Sequence, residues 1–249
     1  MAQVFPKTMN VIARVSLLAI PLLAAGGGVT LAALVRSPYV TGTNEPVEQP
    51  IPFSHKHHVG ELGIDCKYCH TAVYDGANAG LPPTKTCMNC HQQIWQGADI
   101  LAPARDSYNR GIPIAWTKVH NVPHYTYFNH SIHVNKGVGC VSCHGQIDQQ
   151  PLVYQSKTLY MEWCLDCHRN PEKHLRPVSE VQNMRFTAQG YTEKVPELDE
   201  SGAPKKDSHG DPVMTTKTYH SQAELGKELK KRHMIREPQV ITNCSICHR

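Results

Sequence analysis

Apolar positions are unevenly distributed along the chain. Residues 15–35, VSLLAIPLLAAGGGVTLAALV, run for 21 positions without a charge. As a helix rising about 1.5 Å per residue, this segment reaches roughly 31 Å, enough to cross the hydrocarbon core of a bilayer. It is longer than the roughly 7–15-residue apolar run of a cleaved signal peptide, so a retained anchor is expected. Pro21 and the three consecutive glycines are tolerated in membrane helices and let a partner helix approach closely. Beyond the anchor there is little alternation and no long amphipathic run before residue 220. The clearest helix is SQAELGKELKKRHMI, 221–235, with a serine at its start and leucines four apart. Residues 192–218 are rich in Pro, Gly and charge, and read as an exposed loop.

Charge orients the anchor. Lys7 and Arg14 precede it, whereas Arg36 and then Glu45 and Glu48 follow. The positive-inside rule favours a cytoplasmic N-terminus, with everything after residue 36 outside the cytoplasm, as a single-pass protein. The formal net charge is only +4, and no basic run is interleaved with aromatics, so no nucleic-acid partner is indicated. Apolar residues make up 40% of the chain, but much of that share lies in the anchor, and there are only four phenylalanines and three tryptophans. Something other than side chains is expected to fill the interior.

The ten cysteines and sixteen histidines supply a candidate. Every cysteine belongs to a C-x-x-C pair followed at once by histidine: Cys66, Cys69 and His70; Cys87, Cys90 and His91; Cys140, Cys143 and His144; Cys164, Cys167 and His168; Cys244, Cys247 and His248. Zinc sites take four ligands, and ten thiols do not divide into four-cysteine sites. A redox C-x-x-C would occur once and needs no histidine. Free paired thiols outside the cytoplasm would tend to oxidise. C-x-x-C-H is the attachment signature of c-type haem, with two thioether bonds and the histidine on the iron. Five covalently bound haem c groups are therefore expected. Their burial would replace much of the missing apolar core.

An internal repeat organises the motifs. FSHKHHVGELGIDCKYCH starts at Phe53 and FNHSIHVNKGVGCVSCHG at Phe128, 75 residues later. Each is followed by another motif about twenty residues on. The reading is an anchor over 1–36, a Pro- and Thr-containing linker over 37–52, and a pentahaem domain over 53–249. Within that domain, modules at about 53–127 and 128–175 precede a C-terminal segment, 176–249, with the fifth motif. The expected fold is mainly α and irregular, with few short helices wrapped around haems. Each iron needs a second axial ligand, usually histidine or methionine. His55 and His58 match His130 and His133 in the repeat and are the first candidates. One more is required, and His120 and Met184 both qualify. His57 breaks the pattern. His124, His174, His209, His220 and His233 read as surface groups or propionate partners.

The F-x-H-x-x-H segment before C-x-x-C-H resembles class III multihaem cytochromes. That resemblance implies that the first histidine, His55 or His130, ligates the haem that follows, and that His58 and His133 reach neighbouring haems. The whole chain resembles the pentahaem cytochrome c subunit of alternative complex III, a bacterial quinol oxidoreductase. The resemblance rests on the single anchor, PFSHKHHVGELGIDCKYCH, YFNHSIHVNKGVGCVSCHG, MEWCLDCHRNPEKHLRP and TNCSICHR. It implies an electron-transfer subunit rather than a catalyst on its own. Its partners would be an iron-sulfur subunit and polytopic membrane subunits, with a monohaem cytochrome c or terminal oxidase as acceptor. A membrane-anchored multihaem quinol dehydrogenase feeding a periplasmic reductase is the alternative. A catalytic multihaem reductase fits less well, because no attachment motif carries lysine in place of histidine.

Overall fold

The computed structural model describes residues 5–199, 201 and 203–248, which divide into two units, one ending at Glu45 and the other beginning at Pro46. In the first unit, Thr8–Arg36 is one helix of 29 residues that runs through Pro21 and has no buried residue. It is long and apolar enough to cross a membrane. Ser37 is extended (φ −69°, ψ 157°), as the residue before a proline prefers, and this ends the helix. A single turn, Pro38–Thr41, follows and closes on Gly42 at φ 65°.

The second unit corrects the expected linker. Val47 donates its backbone N–H to the Val153 carbonyl at 3.1 Å. Gln49 exchanges two 2.9 Å hydrogen bonds with the Thr117 backbone, and Ile51 is buried. Residues 46–52 are thus part of this unit and docked within it. Its helices are short, and those bearing attachment motifs are Cys66–Cys69, Thr84–His91, Cys140–His144, Met161–Arg169 and Cys244–Cys247. Local capping sets several of these turns. Asp65 accepts from the Lys67 N–H at 2.7 Å and Asn243 from the Ser245 N–H at 3.1 Å. One helical turn brings residues three apart to one face, which is what a two-thioether attachment needs.

The side-chain core is small and lies toward the C-terminus. Leu175, Ala188, Tyr219, Leu225 and Leu229 form it, with Val138, Phe186, Tyr191 and Ile235 packed around them. Gln222–Arg232 is the expected helix, and Ser221 caps it by accepting from the Glu224 N–H at 3.2 Å. It lies on the Pro171–Lys173 turn so closely that a Cβ at Gly226 would fall 2.0 Å from the Glu172 carbonyl oxygen.

The expected loop at 192–218 is instead a hairpin. β1 (Thr192–Pro196) pairs antiparallel with β2 (Met214–Thr218), from Thr192 opposite Thr218 to Pro196 opposite Met214. A lone two-stranded ribbon is marginal in water. The charges that suggested a solvated loop are what attach this one. Arg232 holds Glu193 through two hydrogen bonds of 2.8 and 2.9 Å, Lys217 pairs with Glu228, and the buried Tyr219 donates its hydroxyl proton to Glu193 at 2.6 Å.

Gly226→Ala tests this packing. Alanine gains roughly 1 kcal/mol of helix propensity over glycine, so an open site would be stabilised. Here the clash with Glu172 should reverse the sign, giving a net loss of about 1–3 kcal/mol in denaturant unfolding of the haem-loaded chain.

Candidate cofactor sites

The four histidines singled out by the repeat each face the histidine of a motif. His55 and His70 are parallel, with interplanar angle 3° and ring centroids 6.5 Å apart. His130 and His144 repeat this at 12° and 6.4 Å. His58 lies 6.1 Å from His91 with the ring planes at 65°, and His133 lies 6.1 Å from His168 at 29°. In both modules, therefore, the first histidine meets the motif that follows it and the second meets the motif beyond. Phe53 and Phe128 hold the arrangement by stacking on His58 and His133, at 4.3 and 4.7 Å, with their edges toward His55 and His130.

The spacing has a chemical meaning. An imidazole nitrogen binds a metal at about 2.0 Å, and it lies about 1.1 Å from the ring centre. Two imidazoles on opposite faces of one iron therefore have centroids about 6.2 Å apart. The hydrogen bonds agree with this use. Nδ1–H of His70 donates to the Gly80 carbonyl at 2.7 Å, that of His91 to Ile94 at 3.2 Å, and that of His168 to Ile241 at 2.7 Å. His58, His130 and His133 donate likewise to Ser54, Ala77 and Asn129 at 2.9, 2.9 and 2.7 Å. His248 donates to Tyr125 at 3.0 Å. A carbonyl only accepts, so the proton is fixed on Nδ1 and the Nε2 lone pair is left for a metal.

Electrostatics point the same way. Burial, then the neighbouring His70, His58 and His120, holds the His55 imidazole down at about 4. Burial, followed by His120, His130, His70 and His55, lowers His144 to about 3. His58 and His133 are also lowered, chiefly by burial. Neutral imidazole is the ligating form. Burial moves the Cys66, Cys69, Cys87, Cys140, Cys143, Cys164 and Cys167 thiols away from the thiolate that zinc or redox chemistry requires. Burial raises Cys140 and Cys167 to about 11 and Cys143 to about 12. Around the motifs, Leu62, Tyr68, Ile94, Trp95 and Met161 are exposed apolar surface that a porphyrin face would cover. The residues present fit haem.

The two candidates for the remaining ligand both lie near the third motif. His120 packs edge-on to His144, with centroids 4.3 Å apart and its Nε2 buried without a partner. Met184 is buried, and its carbonyl accepts from Gln146, two residues past His144, at 2.9 Å. Both are tied to the third motif. The ring beside His248 is Tyr125, at 5.7 Å. His57 Nδ1–H donates to the Glu61 carboxylate at 2.9 Å, and its ring stacks near Trp95 and meets His58 edge-on at 5.3 Å, facing no motif histidine.

No family model matches the chain. It is 34% identical over 149 residues to the multihaem cytochrome c subunit of a menaquinone reductase from Nitratidesulfovibrio vulgaris, an alignment covering 51% of this chain and 70% of that protein. The chain belongs to the family of multihaem cytochrome c subunits of quinone oxidoreductases.

One residue of this multihaem cytochrome subunit escaped the sequence reading. Arg176 is 9% exposed, with Nη1 donating to the Asn183 carbonyl at 2.8 Å and Nε unpaired. Its guanidinium lies against Gly139, where a Cβ would come within 2.2 Å of Nε, and so borders Cys140. The one signal was an arginine between apolar neighbours in HLRPV.

Proposed function

We propose that this chain is the pentahaem electron-transfer subunit of a membrane quinol oxidoreductase of the alternative complex III type. The observation that carries the reading is the set of four histidine pairs at 6.1–6.5 Å, each joining a repeat histidine to a motif histidine. When bound, each haem supplies a one-electron couple at its iron. The chain supplies the rest. Cys66 and Cys69, Cys87 and Cys90, Cys140 and Cys143, Cys164 and Cys167, and Cys244 and Cys247 would hold five porphyrins through thioethers. His70, His91, His144, His168 and His248 would each bind the iron of their own motif. His55, His58, His130 and His133 would supply a second histidine to the first, second, third and fourth irons, and two histidines on an iron would keep its potential low relative to histidine with methionine. His120 and Met184 border the third haem rather than complete the fifth.

In this reading Thr8–Arg36 is an uncleaved anchor with its N-terminus in the cytoplasm, and the cytochrome unit faces the periplasm. Electrons pass from an iron-sulfur subunit, which with polytopic membrane subunits oxidises quinol, through this chain to a monohaem cytochrome c or a terminal oxidase. The similarity to a menaquinone reductase subunit favours one second reading, the same relay running toward quinone.

Three outcomes are expected. Intact mass of Cys140→Ala should show one haem fewer than the parent, and an unchanged haem content would remove the attachment assignment. In His130→Met, redox titration should show one haem raised in potential by far the most and the other four moved only by much smaller amounts, because methionine ligation raises the potential of the iron it binds. Gentle detergent purification through a tag on this chain should retain iron-sulfur and many-helix subunits and oxidise quinol with reduction of a cytochrome c. An assembly that reduces quinone from reduced cytochrome, without the reverse activity, supports the second reading. Recovery of the chain alone, still reducible by quinol, supports an anchored quinol dehydrogenase.

A further inference from the structure

We propose that the five attachment sites follow one another in space in the order second, first, third, fourth, fifth, so that the second and fifth motifs are the two ends of the electron path. This rests on the haem reading above, and it concerns an order that the sequence order of the motifs does not give.

Each link has its own contacts. The first and second motifs touch through their interiors, where Asn89 Nδ2 donates to the Tyr68 hydroxyl at 2.9 Å. His58, which lies just before the first motif, faces His91 of the second. The first and third sites meet because the second repeat docks onto the segment that follows the first motif. His130 donates both its backbone N–H, at 3.1 Å, and its Nδ1–H, at 2.9 Å, to the Ala77 carbonyl, and Ser131 N–H donates to Gly76 at 3.2 Å. On another side of the same junction the Lys56–Glu61 turn packs on Ile147–Gln149, with Lys56 N–H donating to Gln150 at 3.0 Å. The contact is close enough that a Cβ on Gly60 would lie 2.3 Å from the Asp148 carbonyl oxygen.

The third and fourth sites are joined by His133, whose helix leads into the third motif while its ring faces His168 of the fourth. Ser156, on the way to the fourth motif, donates to the Cys143 carbonyl at 3.1 Å. The fourth and fifth are joined where His168 Nδ1–H donates to Ile241, three residues before Cys244. There the Met161–Arg169 helix packs on the Pro238–Ile241 turn.

The repeat explains the order. In each module the second histidine reaches outward to the downstream motif. The modules meet through their first motifs, head to head, so the downstream motifs, the second and the fourth of the chain, point away from the junction. The fifth then extends the row beyond the fourth. Exposure agrees independently: Cys90 of the second motif and Cys244 of the fifth are the exposed cysteines, while the others are partly covered. A redox partner approaching from solvent therefore finds attachment sites at these two ends, with the first, third and fourth between them.

Two measurements on the haem-loaded full chain test the order. Irons of adjacent sites interact coulombically, and the interaction weakens with distance. His133→Met keeps a six-coordinate fourth iron but makes it accept its electron earlier. Haem-methyl NMR through a redox titration should then show shifted midpoints for the third and fifth haems and an unshifted second. A second haem that moves as much as the third overturns the order. Should the variant fail to fold, an experimental structure of the loaded parent decides through its iron-iron neighbours. The order stands if they run second–first, first–third, third–fourth and fourth–fifth, and any other succession overturns it. A wrong succession with five haems attached removes the order alone. A chain without five haems removes the reading beneath it.

Discussion

The Nδ1–H···O=C hydrogen bond is the interaction on which the rest of the arrangement depends. Seven imidazoles make it: His58, His70, His91, His130, His133, His168 and His248. An imidazole free to rotate or to change tautomer would present the wrong nitrogen half the time, and a metal pair needs both partners aligned together. Anchoring Nδ1 on a backbone carbonyl fixes the ring plane, the tautomer and the direction of the lone pair in one contact. The carbonyls are often distant in sequence, as Ala77 is from His130 and Ile241 from His168. Ring orientation and chain path therefore specify one another. His55 and His144 are the exceptions, with Nδ1 buried and unpaired, and they sit in the most crowded group of imidazoles.

This constraint also accounts for how the chain is distributed. Among the described residues the clustered apolar core is Leu175, Ala188, Tyr219, Leu225, Leu229 and their neighbours, with scattered buried side chains such as Ile51, Met88 and Val134 elsewhere. Elsewhere short helical turns are separated by irregular backbone whose carbonyls orient histidines. Helices of four or five residues are not stable by propensity. They persist because caps such as Asp65 and Asn243 fix their first turn and because thioethers and metal bonds would cross-link their faces. The head-to-head junction between the modules is made largely of backbone contacts, which suits a surface that must leave its side-chain positions to histidine and cysteine.

Much of the chemistry was legible in the sequence because it is written in spacing. The C-x-x-C-H motifs name their cofactor directly, and the doubling of F-[SN]-H-x-x-H pointed to His55, His58, His130 and His133 before any geometry was known. The 221–235 helix declared itself through Ser221 and its leucine spacing. What was not legible depended on partners remote in sequence. The hairpin at 192–218 looked like a loop because its Glu and Lys residues read as solvent-facing, whereas Glu193 and Lys217 are matched to Arg232 and Glu228 on a later helix. Residues 46–52 looked like a linker because their partners, Thr117 and Val153, lie far along the chain. His120 and Met184 stood as alternatives because five irons left one ligand to find, and neither sequence spacing nor a repeat tied either of them to one motif. Arg176 had no motif at all, only apolar neighbours.

The central claim is that the four histidine pairs each hold one haem iron. Near-infrared magnetic circular dichroism of the oxidised, haem-loaded chain tests it most directly, because that spectrum separates bis-histidine from histidine–methionine and from high-spin ligation. The account predicts that bis-histidine, low-spin haem dominates, with intensity for four sites of the five. A spectrum in which two or more sites are high-spin or methionine-ligated would contradict it.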